Sequence, residues 1–123
     1  MSDTQKHILL AEDDPGIIEV VQIVLKDAGY IAHIAASHKE IEKVIAANPV
    51  DLIFLDILLS GENGSDIAKA LKENPKTKHI TVLLLSANMS IEEISKKSGA
   101  DGFLRKPFDL DDFLAVIKRY TDN

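Results

Sequence analysis

Four stretches of the chain end in residues able to do chemistry, and each follows an apolar run. Glu12, Asp13 and Asp14 follow Ile8–Ala11, Asp56 follows Leu52–Leu55, Ser86 and the small Ala87 follow Ile80–Leu85, and Lys106-Pro107 comes just after Gly102–Leu104. Carboxylates gathered in one place repel and desolvate one another, so some hold protons unless a cation joins them. A hard divalent cation with oxygen ligands relieves this, and Mg²⁺ suits one or two carboxylates together with waters and a phosphate. A carboxylate can also act as a nucleophile and become an aspartyl phosphate. Phosphoryl transfer asks mainly for positioning and for positive charge around the moving oxygens. Mg²⁺ and Lys106 would supply that charge, and Ser86 a hydrogen bond.

These groups can cooperate only if the fold brings the four runs side by side. Five apolar runs alternate with five segments of helical period. Ile8–Ala11 reads as a strand, and Asp14-Pro15 as a cap followed by proline at the first helical position. Ile17, Val20, Val21, Val24 and Leu25 mark one face of the helix that follows, which Gly29 ends. Tyr30–Ala35 is a second, weaker strand, and Ser37 with Glu40 forms a capping box for the next helix. Leu52–Leu55 is apolar throughout and therefore buried on both faces. Gly61 and Gly64 mark a loop before a helix carrying Ile67, Ala70 and Leu71. Ile80–Leu85 is a fourth strand, Ser90 with Glu93 repeats the capping-box pattern, and Gly102–Leu104 is a fifth strand. Asp109 caps a last helix bearing Leu110, Phe113, Leu114, Ile117 and Tyr120. Strict alternation implies a parallel sheet with helices on both sides, whose ligands bind beyond the carboxyl ends of the strands.

The 123 residues match one ordinary domain, large enough to bury a core without cross-links. The absence of cysteine excludes disulfides and Cys-ligated zinc. No apolar run is long enough for a signal peptide or membrane span, so a cytoplasmic protein is expected. With net charge −6, no basic stripe and few aromatics, nucleic-acid binding is not expected. No linker, repeat or low-complexity tract is visible, and a single domain over residues 1–123 without an output domain is expected.

Together, Ile8-Leu9-Leu10-Ala11-Glu12-Asp13-Asp14, Leu52-Ile53-Phe54-Leu55-Asp56, Gly64, Leu84-Leu85-Ser86-Ala87 and Phe103-Leu104-Arg105-Lys106-Pro107-Phe108 resemble the receiver domain of two-component response regulators over essentially the whole chain. The resemblance implies a three-layer (βα)5 flavodoxin-like sandwich, with the strand order 2-1-3-4-5 that flavodoxin shares with the receiver CheY. It implies Asp56 as phosphoacceptor, Mg²⁺ bound by Asp13, by Glu12 through water, by Asp56 and by the backbone carbonyl of Leu58, and Lys106 and Ser86 on the phosphoryl group. Phe103 would be the switch aromatic, turning inward as Ser86 moves. Lys106-Pro107 would be a cis peptide bond. The donor would be a histidine of a sensor kinase or phosphotransfer protein, and a protein target would read the switched surface of the fourth helix, fifth strand and fifth helix. Catalysis would be limited to self-phosphorylation and self-dephosphorylation. Three positions depart from or tune the pattern. Ser60 stands where receivers usually carry proline, which predicts a looser loop. Leu58 and Asn88 would flank the path of the attacking water, with Leu58 hindering it.

Other readings fare worse. A phosphohydrolase of the haloacid dehalogenase type would need a second Asp where Leu58 stands. A dinucleotide site would need a glycine-rich turn where Glu12-Asp13-Asp14-Pro15-Gly16 stands. A receiver-like domain that no longer switches is at odds with the full set of pocket residues, and only Ser60 leans that way. Asp14 reads as a cap, Lys96-Lys97 as a solvated helix face, and Asp111-Asp112 as favouring the positive end of the last helix. His7, His33, His38 and His79 read as scattered surface or strand-edge residues.

Overall fold

The structure is a computed structural model that describes residues 5–121. Met1–Thr4, Asp122 and Asn123, which the single-domain expectation included, lie outside the described residues. The elements are β1 (His7–Ala11), α1 (Pro15–Asp27), β2 (Ile31–Ala35), α2 (His38–Ala47), β3 (Leu52–Asp56), β4 (Leu58–Leu59), β5 (Glu62–Asn63), α3 (Gly64–Glu73), β6 (Thr81–Ser86), α4 (Ile91–Ser98), β7 (Gly102–Arg105) and α5 (Leu110–Thr121). The main sheet is parallel in the order β2-β1-β3-β6-β7. Counted over its own strands this is 2-1-3-4-5, the flavodoxin-like order.

Alternation along each strand sends neighbours to opposite faces. Leu9, Ala11, Ile53, Leu55, Val82 and Leu84 pack with Ile41 of α2, Ile67 and Leu71 of α3 and Ile91 of α4. Ile8, Leu10, Leu52, Phe54, Leu83 and Leu85 pack with Val21 and Leu25 of α1 and Phe113 and Ile117 of α5. Both faces are covered, so the central strands must be apolar at every position, as their sequences are. Burying each Leu or Ile side chain contributes about 1.5–3 kcal/mol relative to leaving it in water.

The ends of the elements hold most of the surprises. Three strands run one residue past their apolar stretch, ending on Asp56, Ser86 and Arg105. The polar residue stays in the ladder because its backbone pairs while its side chain leaves the core. The Asp14 side chain accepts from the N–H of Gly16 and Ile17, as a cap should. Ser37 accepts from Glu40 N–H, but Glu40 reaches back to Ala36 N–H, one residue outside the expected box. The expected box at α4 is absent: Ser90 makes no side-chain cap bond, and Asn88 Oδ1 instead accepts from Ser90 N–H at 2.8 Å. Asp109 accepts from Asp112 N–H at the start of α5.

The segment around Gly61 is more than a loop. Leu58 pairs with Asn63 and Leu59 with Glu62, making an antiparallel hairpin turned by Ser60 and Gly61, with φ of 50° and 83°. Two central residues at positive φ are the signature of the type I′ turn that suits twisted hairpins. The histidines are not all scattered either: His7 Nδ1 lies 2.9 Å from His33 Nε2, with the rings stacked at 5.2 Å.

Candidate functional site

Because β1, β3, β6 and β7 are parallel and adjacent, their carboxyl ends bring Glu12, Asp13, Asp56, Ser86 and Lys106 to one edge. Residues that the chain separates widely meet there. Lys106 Nζ donates to Asp56 Oδ2 at 2.9 Å and to Glu12 Oε1 at 2.8 Å. One oxygen each of Glu12, Asp13 and Asp56 lie within 4.8 Å of one another. Glu12 is 1% exposed and Asp56 8%, whereas Asp13 is open to solvent.

Each buried carboxylate is held by identifiable donors. Glu12 Oε2 accepts from the backbone N–H of Asp13 and, more distantly, of Asp14. Asp56 Oδ1 accepts from Leu58 N–H at 3.1 Å, leaving Oδ2 to Lys106. Burial pushes the Glu12 carboxyl above its ordinary range; the Lys106 hydrogen bond pulls it back, and neighbouring Asp56 pushes it up again. Burial alone would lower the Lys106 ammonium, but its hydrogen bonds to Glu12 and Asp56 and their charges outweigh this and hold it above an ordinary lysine.

Three carboxylates against one ammonium leave an excess of negative charge in a partly dry cleft. That donor set, all oxygen and closely grouped, fits a hard divalent cation such as Mg²⁺. The hairpin bears on the fourth expected ligand. Gly64 N–H bonds to the Ile57 carbonyl, so in an alternating antiparallel ladder Leu58–Asn63 is the pair without ladder bonds. The ladder therefore makes no claim on the Leu58 carbonyl. Gly64 itself must be glycine, since a Cβ there would run into the Asp56 backbone carbonyl and sit 2.8 Å from Ile57 Cα.

Ser86 pairs in register with Arg105, one step beyond the Asp56–Leu85 pair, and its Oγ accepts from Asn88 N–H at 2.9 Å. Phe103 is half-buried against the cluster on the α2–α3–α4 face. Lys106-Pro107 is cis. Leu58 and Met89 stand at 76% and 90% exposure on the β3–α3 and β6–α4 connections.

Sequence reasoning missed two contributors. Ser60 donates from both N–H and Oγ to Asp13 Oδ2, at 2.9 and 3.3 Å, where a looser loop was expected. The Ser-Gly dipeptide was the available signal for a turn. Arg105 sets its guanidinium 5.6 Å from the centre of the Phe103 ring and makes long contacts to the carbonyls of Asn88 and Met89. Its place two residues after Phe103 on one strand was the available signal.

Comparison with known proteins agrees with this arrangement. A family profile described as the response regulator receiver domain matches residues 8–118. The chain is 35% identical to the DNA-binding dual master transcriptional regulator RpaA of Synechocystis, over 94% of this chain and 50% of that protein. It is 33% identical to the phosphate regulon transcriptional regulatory protein PhoB of Pseudomonas aeruginosa, over 92% of this chain and 50% of that protein. The chain thus spans about half the length of these curated relatives. A response regulator from Chloroflexus aurantiacus superposes with a TM-score of 0.89 at 29% identity, covering 98% of this chain and all of the other. The chemotaxis response regulator CheY4 of Vibrio cholerae gives 0.86 at 28% identity, covering 95% and 99%. Among the described residues no helix is long and apolar enough to cross a membrane. The fold and the family profile over residues 8–118 agree, and the chain belongs to the receiver domains of response regulators, the modules of phosphorylation-based two-component signalling.

Proposed function

We propose that this receiver accepts a phosphoryl group on Asp56 from a phosphohistidine of a sensor kinase or phosphotransfer protein, in the cytoplasm, and passes the change to a protein target. The observation that carries the reading is the 2.9 Å contact of Lys106 Nζ with Asp56 Oδ2 beside the Glu12–Asp13–Asp56 group. Glu12, Asp13, Asp56 and the Leu58 carbonyl would hold Mg²⁺, with Glu12 reaching it through water. The ion would supply positive charge to the phosphoryl oxygens and to the attacking carboxylate.

An Asp56 carboxylate oxygen forms the new O–P bond as the P–N bond to the donor imidazole breaks, and the electron pair stays on that nitrogen. Leu58 N–H, on Oδ1, and Lys106, on Oδ2, orient the carboxylate for attack. In the product, Lys106 turns its donors from Asp56 to a phosphoryl oxygen. By analogy with hydroxyl phosphates, the group adds about −1.5 to −2 charges and three acceptor oxygens, so movable donors are drawn in. Ser86 supplies its hydroxyl, giving up its present bond from Asn88 N–H. Its shift opens space beside β6 into which Phe103 turns, leaving the Arg105 guanidinium. The face of α4, β7 and α5 changes as a result. Hydrolysis returns the starting state, with Leu58 and Asn88 flanking the water's path.

The rim suits a protein donor. Exposed Leu58 and Met89, and a groove lined by Ile17, Val20, Ala87, Pro107 and Phe108, surround the acidic cleft with apolar surface that a partner would cover. The test is incubation with acetyl phosphate and Mg²⁺, followed by intact mass. Wild type should gain one PO₃ unit, and Asp56→Asn none. A wild type that gains nothing, or an Asp56→Asn variant that gains as much, rejects the assignment.

A further inference from the structure

Of the three carboxylates at the site, Lys106 holds two. Glu12 and Asp56 are fixed by its ammonium and by backbone N–H groups. Asp13 is exposed and does not bond to Lys106, so another group must fix its orientation. That group is Ser60, 47 positions away, whose N–H and Oγ both fall on Asp13 Oδ2. A carboxylate that gives one oxygen to an ion is commonly held through the other, and removing such an outer partner costs about 10–100-fold in metal affinity.

The hairpin is built to deliver these donors. Leu59, next to the turn, is fully buried, Gly64 N–H bonds to the Ile57 carbonyl at the base, and Glu62 Oε1 accepts from His38 N–H at the start of α2 at 2.8 Å. The tip is then set by its positive φ values, 50° at Ser60 and 83° at Gly61. Proline could occupy the Ser60 position in no such turn, because its φ is fixed near about −65° and it has no N–H to donate.

We infer that Ser60 is a positioning residue for Asp13: through the type I′ turn it holds Oδ2 so that the other oxygen faces a divalent cation shared with Glu12 and Asp56. The inference rests on the Mg²⁺ reading above.

The test is Mg²⁺ titration by calorimetry on wild type, Ser60→Asn and Ser60→Pro, with circular dichroism to check folding. Asn tolerates positive φ and keeps the N–H, so Ser60→Asn should stay within about three-fold of wild type. Ser60→Pro should bind about 10-fold more weakly or worse. In acetyl phosphate reactions the Mg²⁺ concentration for half-maximal rate should rise by the same factor, while the rate at saturating Mg²⁺ returns to that of wild type. A purely structural role would lower that plateau instead. Equal Mg²⁺ affinity in Ser60→Pro and wild type overturns the inference alone. A wild type that binds no Mg²⁺ overturns the metal reading and this one with it. A measurement on wild type needs no variant to fold: by amide exchange, the Ser60 N–H should stay protected when Mg²⁺ is added. If it becomes exchangeable, the ion displaces Ser60, and the inference fails.

Discussion

At the carboxyl end of the sheet three carboxylates crowd around one ammonium; at the amino end each carboxylate has donors of its own. There, Asp51 Oδ2 accepts the His7 backbone N–H, and Lys72 spends its donors on Asp101 Oδ2 and on the carbonyls of Lys78 and Ile80, each at 2.9 Å. Asp101 Oδ2 also accepts Val82 N–H at the start of β6. Both ends bury polar groups, and among the described residues no buried side-chain nitrogen or oxygen lacks a partner. The difference lies in charge. The amino end spreads two carboxylates over backbone N–H groups and one ammonium and holds strands in place, whereas the carboxyl end groups three carboxylates around one ammonium. That grouped excess of negative charge is what the proposed cation would offset.

Three measurements press on this contrast. The largest effect should come from Lys106→Met, which strips the buried Glu12 and Asp56 of their shared cation. It should cost about 3 kcal/mol at neutral pH, read by urea unfolding. Millimolar Mg²⁺ should restore part of that loss. The pH sign follows from Glu12. Its folded pKa is raised, so its contribution is fully present below the ordinary glutamate range and is lost as pH rises through the raised value. Lys106→Met should therefore regain stability as pH falls into mild acid. A Mg²⁺-insensitive loss would erase the distinction between the two ends.

A smaller effect is expected at the other end. Lys72→Met leaves the Lys78 and Ile80 carbonyls without the Lys72 donor and Asp101 with only Val82 N–H, and should cost about 1–2 kcal/mol. Mg²⁺ should change nothing, and acetyl phosphate labelling of Asp56 should be untouched.

The smallest effect should come from His33. Burial, and then the neighbouring His7, lower its pKa. A depressed folded value gives stability that is present above the ordinary histidine value of about 6.5 and lost as pH falls through the folded one. Glu12 moves stability the opposite way over the acid range, so the readout is a difference. Between pH 7.5 and 5.5, wild type should lose more of its urea midpoint than His33→Gln does. Identical pH responses would show that the His7–His33 pair carries no linkage.

The fold was legible because β3 and β6 are covered on both faces, and that demand writes unbroken apolar runs into the sequence. Asp56 and Ser86 were legible as the first polar residues after those runs. The β4–β5 hairpin was not, since two-residue strands carry no period. Nor was the cap of α4, where Asn88 and Ser90 offer similar side chains and the path of the β6–α4 loop chooses between them. Strand alternation alone sets Arg105 on the same face as Phe103; only the path of the β6–α4 loop brings the Asn88 and Met89 carbonyls to it.

The sequence by itself determined the alternation of elements, the residues that stand at strand ends and the acidity of the chain, because backbone sterics and burial act over a few residues. Only the tertiary structure decided which oxygen meets which donor: Lys106 with Glu12 and Asp56 across 94 and 50 positions, and Ser60 with Asp13. Such pairings depend on strand order and register, which the packing of both sheet faces settles together, and no local pattern contains them.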